Sequence, residues 1–189
     1  MRVLYNIERL MCPSLEEKNA LEAIIHKRTL KKNEYFLKAG SLCQSIAFIE
    51  KGSVRYFYEQ DERQINKDFL LENGLVCSFA SLFSEEPSTI FIQAMEQTDI
   101  VEMQYQDVLQ LQESYPVWQK LSRIIIQEQI IRAEKREAAF LKDLPETRFR
   151  SLIEEHPTIF KRVPLQYIAS YLGITRETLS RYRNKNYKF

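Results

Sequence analysis

Residues 165–183 read LQYIASYLGITRETLSRYR, and this stretch decides how the C-terminal part of the chain folds. Ile168 and Leu172 are four residues apart, so they lie on one face of a first helix. Gly173 supplies the left-handed residue that often ends such a helix, and Thr175 has a side chain that can cap the next one. The pattern predicts two helices joined by a tight turn, the arrangement called a helix-turn-helix.

The predicted second helix carries its polar side chains on one face. At about 100° per residue, these side chains fall within an arc of about 160°, opposite Leu179 and Tyr182. The residues of the arc are Arg176, Glu177, Ser180, Arg181, Arg183 and Asn184. Arginine can donate to guanine, glutamate can accept from cytosine, and serine or asparagine can contact bases or phosphates. The face, with Thr175 at its start, therefore predicts contact with the major groove of DNA; a solvated charged face is the alternative.

The distribution of charge along the chain points to the same kind of partner. The net charge is +1, but residues 1–113 hold 12 Lys and Arg against 18 Asp and Glu, whereas residues 114–189 hold 15 against 8. From Thr158 onward the count is 7 against 1. A basic C-terminal segment on an acidic body predicts a polyanion as the partner of that segment.

Short β-rich segments separated by turn residues fill the chain from Glu34 to Met103. We predict strands at Tyr35–Leu37, Ile46–Glu50, Ser53–Glu59, Ile65–Leu70, Ile90–Met95 and Ile100–Met103. Strands of this length and spacing are typical of an antiparallel sandwich or jelly roll. Ahead of them, Ser14 and Glu17 form a capping box, which predicts an amphipathic helix that ends near Lys27.

A long helix is predicted between Val117 and Leu141, where neither glycine nor proline occurs. Its apolar residues cover more than one stripe, so the helix must pack on two surfaces. One surface is the β body, and the other is the same helix of a second chain, which makes a homodimer. A fully covered core helix is the alternative. The predicted dimer contacts are Trp118, Leu121, Ile124, Ile125 and Ile131.

These segments together predict an α+β protein. Residues 1–113 form an N-terminal antiparallel β jelly roll, residues 114–142 form the dimerisation helix, and residues 143–189 form the helix-turn-helix domain. Leu141–Pro145 is the candidate hinge before the C-terminal domain, because Pro145 restarts a helix there.

Several function classes are disfavoured by motifs that the sequence lacks. No glycine-rich phosphate loop and no GxSxG occurs, the three cysteines are far apart, and there are two histidines. We therefore predict no enzyme activity, no catalytic residues, no metal and no cofactor. No apolar run is long enough for a membrane helix or a signal peptide, which predicts a cytoplasmic protein without a membrane partner.

A β-rich body, a long helix, a hinge and then TRETLSR at residues 175–181 resemble the Crp/Fnr family of bacterial transcription regulators. The resemblance covers about residues 14–185. It implies a cyclic nucleotide-binding jelly roll, dimerisation through the long helix, a recognition helix that reads a palindromic site, and RNA polymerase as a further partner. The family's recognition motif falls on Arg176, Glu177 and Arg181, which are therefore expected to read bases. Arg183 is assigned to a phosphate on geometry alone.

The sensing half departs from the family pattern. The family binds its nucleotide with a Gly-Glu-Leu segment, a short helix and an Arg-Ser/Thr-Ala segment, where Glu contacts the ribose and Arg the phosphate. Phe79 stands in the Glu position and Ser88 in the Arg position, and the rest of this degenerate cassette is Ser78, Ala80 and Thr89. We therefore expect that cyclic AMP does not activate the protein. The pocket either takes a different, less anionic effector or is filled by Phe79 and Phe83.

Other sensing chemistries and functions find less support. An iron–sulfur sensor is disfavoured because Cys12 is the one cysteine near the N-terminus, and His26, on a predicted helix, is a surface residue rather than a haem ligand. Cys43 and Cys77 are expected to be small apolar residues of the β body. A metal-dependent jelly-roll enzyme is disfavoured because no predicted strand contains histidine. The remaining alternative is a protein-interaction signalling module that has lost DNA binding. If the protein does bind DNA, Lys185 and Lys188 are predicted as further phosphate contacts.

Overall fold

The computed structural model describes residues 2–186, and its internal contacts divide the chain into two units. The first unit consists of Met1–Tyr58 and Asp68–Ile125, and the second consists of Glu59–Lys67 and Ile126–Phe189. The division falls inside the long helix, after Ile125, whereas the sequence places domain boundaries at both ends of that helix.

Within residues 2–186 the strands form two four-stranded sheets, and the strand pairs described in them are antiparallel. In chain order the strands are β1 (His26–Leu30), β2 (Tyr35–Leu37), β3 (Ser45–Lys51), β4 (Val54–Gln60), β5 (Arg63–Leu70), β6 (Leu75–Val76), β7 (Phe91–Ala94) and β8 (Thr98–Gln104). One sheet has the order β1-β8-β3-β6 and the other has the order β2-β7-β4-β5. The tip of the β4–β5 hairpin, residues 59–67, groups with the second unit.

The core of the first unit lies between the two sheets. Each sheet contributes apolar side chains at alternate positions, because successive residues of a strand point to opposite faces. Fully buried members are Leu30, Ala47, Ile49, Val54, Val76, Ile92 and Ala94. Cys43 and Cys77 belong to the same cluster, as the sequence predicts. The predicted antiparallel β body is therefore confirmed.

Strand β1 corrects the prediction that a helix continues to about Lys27 and carries His26. The helix ends at Ala23, and His26 is an exposed residue of β1. Polar pairs attach this edge strand to its neighbour β8: Thr29 donates to Asp99 at 2.7 Å, and Arg28 donates to Glu102 at 3.3 Å. Cross-strand pairs of this kind stabilise a strand that has little apolar alternation of its own.

Among the residues that the structure describes, the helices that belong wholly or partly to the first unit are α1 (Arg2–Met11), α2 (Leu15–Ala23), α3 (Phe79–Ser84), α4 (Tyr105–Ser114) and α5 (Pro116–Lys142). The predicted capping box starts α2, since the Ser14 hydroxyl accepts from the Glu17 N–H at 3.2 Å and Glu17 accepts from the Ser14 N–H at 2.7 Å. Trp118, at the start of α5, is 3% exposed. It packs with Met103, Val108 and Leu111 in a second apolar cluster.

The second unit contains the rest of α5 together with α6 (Pro145–Glu155), α7 (Ile159–Arg162), α8 (Leu165–Leu172) and α9 (Arg176–Asn186). Phe149 is fully buried at its centre and packs against the rings of Phe160 and Tyr182. The hairpin tip joins this unit through Ser170, whose hydroxyl accepts from the Asn66 N–H at 2.9 Å and donates to the Gln64 carbonyl at 3.1 Å.

Candidate functional site

Helices α8 and α9 are joined by a tight turn at Gly173. Gly173 has φ 68° and ψ 35°, a left-handed conformation that costs glycine little. Its N–H donates to the Ser170 carbonyl at 3.1 Å, and the Ile174 N–H donates to the Ala169 carbonyl at 3.0 Å. These two bonds end α8 and redirect the chain into α9 within a few residues.

Thr175 begins α9 in the manner that the sequence predicts. Its hydroxyl oxygen accepts from the Thr178 N–H at 3.2 Å, which satisfies one of the free N–H groups at a helix start. The pKa of the Glu177 carboxyl lies below its usual range. The main cause is a hydrogen bond from its own backbone N–H, and a smaller one is a hydrogen bond from the Thr175 hydroxyl. Glu177 is therefore an ionised hydrogen-bond acceptor at the exposed start of α9.

One concave surface of α9 gathers most of the residues predicted to contact DNA. Its lining consists of Leu165, Arg176, Glu177, Ser180, Arg181, Asn184 and Lys185. Arg176, Arg181 and Lys185 are exposed cations, and Glu177 is the one acid in the lining. We call these seven residues the α9 concave surface. It combines donors and an acceptor with an excess of positive charge, which suits a polyanion that also presents donors and acceptors.

Two of the described residues that were predicted to contact DNA are not part of this lining. Thr175 caps α9, and Arg183 is half-buried and outside the lining. Lys188 lies outside the described residues. Leu165 is in the lining although its sequence pattern does not indicate it, because its place there depends on how α8 and α9 cross. Opposite the concave surface, Leu179 is 1% exposed and Tyr182 lies 5.6 Å from the Phe149 ring, so that face of α9 is the packed one.

The degenerate cassette lies in the first unit, and its two serines are buried together. The Ser88 hydroxyl approaches the Ser78 hydroxyl at 3.4 Å, donates to the Ile90 carbonyl at 3.0 Å and accepts from the Ile90 N–H at 3.2 Å. Phe79 is half-buried, and its ring centroid lies 5.6 Å from that of Phe83. Ala80 and Thr89 are exposed. This part of the first unit therefore presents an aromatic pair, Phe79 and Phe83, and two buried hydroxyl groups, those of Ser78 and Ser88.

The residues predicted for dimerisation do not share one environment. Trp118 is buried in the first unit, and Leu121 is partly buried against the same cluster, so both pack on their own β body. Ile124 and Ile125 are partly buried, whereas Ile131 is 52% exposed. Within the second unit, Ile130 and Leu141 are also exposed on α5. Apolar area on the second half of α5 is therefore uncovered in the single chain.

Neither a metal cluster nor a membrane-spanning helix occurs within residues 2–186. No group of three or more His, Cys, Asp or Glu in this range could hold a metal ion. No helix in the same range is long and apolar enough to cross a membrane.

The two buried thiols, Cys43 and Cys77, are poorly reactive because their pKa values are raised. Burial raises the pKa of Cys77 far above its usual range, with a further contribution from Cys43, and burial also raises the pKa of Cys43. Because the thiolate is the reactive form, neither thiol is suited to sensing near neutral pH. Cys12, in contrast, is exposed.

We expect a thiol reagent at pH 8 to modify one cysteine of the folded chain quickly and all three after unfolding, because Cys43 and Cys77 are buried and protonated. Counting modified thiols by mass spectrometry measures this. The Cys12→Ser variant is the control and should show no fast phase. Rapid modification of Cys43 or Cys77 in the folded chain would contradict the prediction.

Comparison with known proteins agrees with this architecture. Residues 27–115 match the family model of the cyclic nucleotide-binding domain. The chain is similar to FixK2 from Bradyrhizobium japonicum, with a TM-score of 0.74, 14% identity, and coverage of 86% of this chain and 84% of that one. It is similar to the catabolite activator protein of Thermus thermophilus, with a TM-score of 0.57, 19% identity, and coverage of 91% and 83%.

A third similar structure is a protein from Eubacterium rectale assigned to the Crp/Fnr family, with a TM-score of 0.67, 16% identity, and coverage of 92% and 83%. No curated protein matches the chain by sequence. The resemblance to Crp/Fnr regulators that the sequence indicates is confirmed, and the shared property at these identities is the fold.

Proposed function

We propose that this chain, which has a cyclic nucleotide-binding domain and the fold of the Crp/Fnr regulators, is a sequence-specific DNA-binding transcription regulator. In this proposal α8 and α9 form a helix-turn-helix, and α9 is the recognition helix. The protein would act in the cytoplasm, where its DNA is. RNA polymerase is a partner that the family resemblance suggests, and no catalytic role is proposed.

The α9 concave surface is the observation that carries this proposal. Arg176 and Arg181 can each donate to guanine, and the ionised Glu177 can accept from cytosine. Ser180 and Asn184 supply smaller groups between these longer side chains. Arg183, outside the concave lining, is proposed to contact a phosphate, which fixes register without reading sequence.

A homodimer is the second part of the proposal. The exposed Ile130, Ile131 and Leu141 on α5 offer apolar area that a second copy of the same helix can cover. A dimer with two-fold symmetry presents two α9 helices to two half-sites about 34 Å apart, one turn of DNA, and so reads a palindrome. Sedimentation of the chain alone measures whether the dimer forms.

Selection of binding sites from a random duplex library tests the DNA-binding function. Purified full-length protein is used in two arms, with and without cyclic AMP. Enrichment of one palindrome in both arms is expected. If neither arm enriches a sequence, the alternative of a protein-interaction module without DNA binding replaces the proposal.

Salt dependence separates the two functions further. The logarithm of DNA affinity falls linearly with the logarithm of salt concentration. The slope of that line becomes more negative by about 0.9 for each phosphate contact. We expect a steep negative slope on the selected palindrome. A slope near zero would contradict the proposed phosphate contacts of Arg183 and Lys185.

Cyclic AMP is expected to leave thermal stability unchanged, because Ser88 gives the nucleotide phosphate no cation and Phe79 gives the ribose no acceptor. A ligand at 100 times its dissociation constant stabilises a folded protein by about 2.7 kcal/mol, which is easily seen in a melting curve. The same titration with 5′-AMP controls for non-specific nucleotide effects. A saturable rise of the melting temperature with cyclic AMP alone would show that the cassette still binds it.

A further inference from the structure

The C-terminal end of α8 has a complete set of hydrogen-bond partners, and two of them come from distant arginines. A helix leaves its last four carbonyls without partners inside the helix. In α8 the turn satisfies two of them, since Gly173 donates to Ser170 and Ile174 donates to Ala169. The carbonyls of Tyr171 and Leu172 remain. Arginines from α5 and α6 donate to these two.

Arg136 of α5 donates from Nη2 to the Tyr171 carbonyl at 3.3 Å. Its guanidinium also lies 3.9 Å from the centre of the Tyr171 ring and 4.8 Å from that of Phe140. Contacts with two aromatic faces restrict where the guanidinium can point. Arg136 therefore ties the end of α5 to the last turn of α8.

Arg148 of α6 makes a forked contact. Nη2 donates to the Leu172 carbonyl at 3.0 Å and Nη1 donates to the Asp143 carbonyl, which follows α5, at 2.7 Å. Its guanidinium lies 4.5 Å from the centre of the Phe140 ring. The Arg148 side chain thus joins the end of α8 to the residue that follows α5. A guanidinium has two Nη groups with fixed directions for these two bonds, whereas a lysine has one ammonium group.

Phe140 lies between these arginines and next to the turn. A Cβ atom added to Gly173 would meet its Cε1 atom at 3.3 Å, so the ring closely abuts the backbone that leads into α9. The positive charges also lie at the end of α8 where the helix dipole favours cations. Arg136, Phe140 and Arg148 form what we call the arginine clamp.

We propose that the arginine clamp positions α9 for DNA binding by fixing the α8–α9 turn, a role that rests on the proposed DNA-binding function. None of its members lines the α9 concave surface. The clamp also bridges Leu141–Pro145, the segment that the sequence indicates as a hinge. The Arg136 bond therefore connects α5 to the last turn of α8 directly and bypasses that segment, whereas Arg148 holds the segment itself at the Asp143 carbonyl.

Amide hydrogen exchange tests the positioning role without DNA. We expect Arg136→Gln, and independently Arg148→Lys, to raise the exchange rate of the Gly173 and Ile174 amides about tenfold, because each variant loses a charge-assisted bond at the end of α8. Lys135→Gln is the matched control, since Lys135 neighbours Arg136 on α5 but donates to neither carbonyl. Unchanged exchange in both folded variants would overturn the proposal.

DNA affinity on the selected palindrome completes the test. Both variants should bind about tenfold more weakly at a temperature well below their melting temperature, with the salt slope of the wild type, because no phosphate contact is lost. A reduced slope would show direct DNA contact and overturn the positioning role, as would faster exchange with unchanged affinity. If the wild type itself binds no DNA, the proposed function fails, while the exchange result still decides whether the clamp fixes the turn.

Discussion

Replacing Arg181 by alanine is expected to abolish the preference for one base pair in each half-site. Arg181 is exposed on the α9 concave surface between Ser180 and Lys185, where a guanidinium can make two bonds to one guanine. Loss of such a pair costs about 1–3 kcal/mol per half-site, so a symmetric site loses that amount twice. Binding measured on the palindrome and on its single-base variants gives the effect.

Arg183→Ala is the matched control, because it removes the same side chain two residues away and outside the concave lining. It should weaken binding to all sequences equally and reduce the salt slope by about one per half-site. Base preference that is intact in Arg181→Ala, or relaxed in Arg183→Ala, would show that the two roles are assigned wrongly.

Phe149→Ala is expected to unfold the second unit and leave the first unit folded. Phe149 is fully buried, and its ring contacts those of Phe160 at 5.9 Å and Tyr182 at 5.6 Å. Removing a buried phenylalanine ring costs about 3–5 kcal/mol, which is comparable with the whole stability of a small domain. Tyr182 belongs to α9, so the loss also removes the support on which the α9 concave surface rests.

Circular dichroism should show a large loss of helix in Phe149→Ala with a remaining cooperative transition from the β body, and DNA binding should disappear. Phe83→Ala makes the same truncation at a ring that is 52% exposed in the first unit, and it should cost well under about 1 kcal/mol. A single, wild-type-like transition in Phe149→Ala would contradict the expected independence of the two units.

Local signals account for what the sequence predicted correctly. The α8–α9 turn needs a left-handed residue and a cap, and the sequence provides both within three positions, as Gly173 and Thr175. The capping box at Ser14 is equally local. The β body follows from strand-like segments and turn residues, which are again visible in short windows.

Long-range contacts account for what the sequence did not predict. Strand β1 is held by pairs such as Thr29 with Asp99, 70 residues apart, so its own residues read poorly as a strand. The sequence predicts Trp118 as a dimer contact, but in the structure it is buried in the second apolar cluster of the first unit. In the same way, the bond from Arg136 joins it to a carbonyl 35 residues away, so no short window of the sequence indicates it.

The second unit is assembled from two stretches of chain that are made at different times. Asn66 donates to a hydroxyl group, that of Ser170, which lies 104 residues further along the chain. At the usual speed of translation, Ser170 leaves the synthesis site about 5–20 s after Asn66 does. The hairpin tip therefore lacks its final neighbours until Ser170 has been synthesised. A fragment that starts at Ile126 would contain α8 but not the hairpin tip, residues 59–67. Truncation of the gene at that point therefore cannot isolate this unit intact.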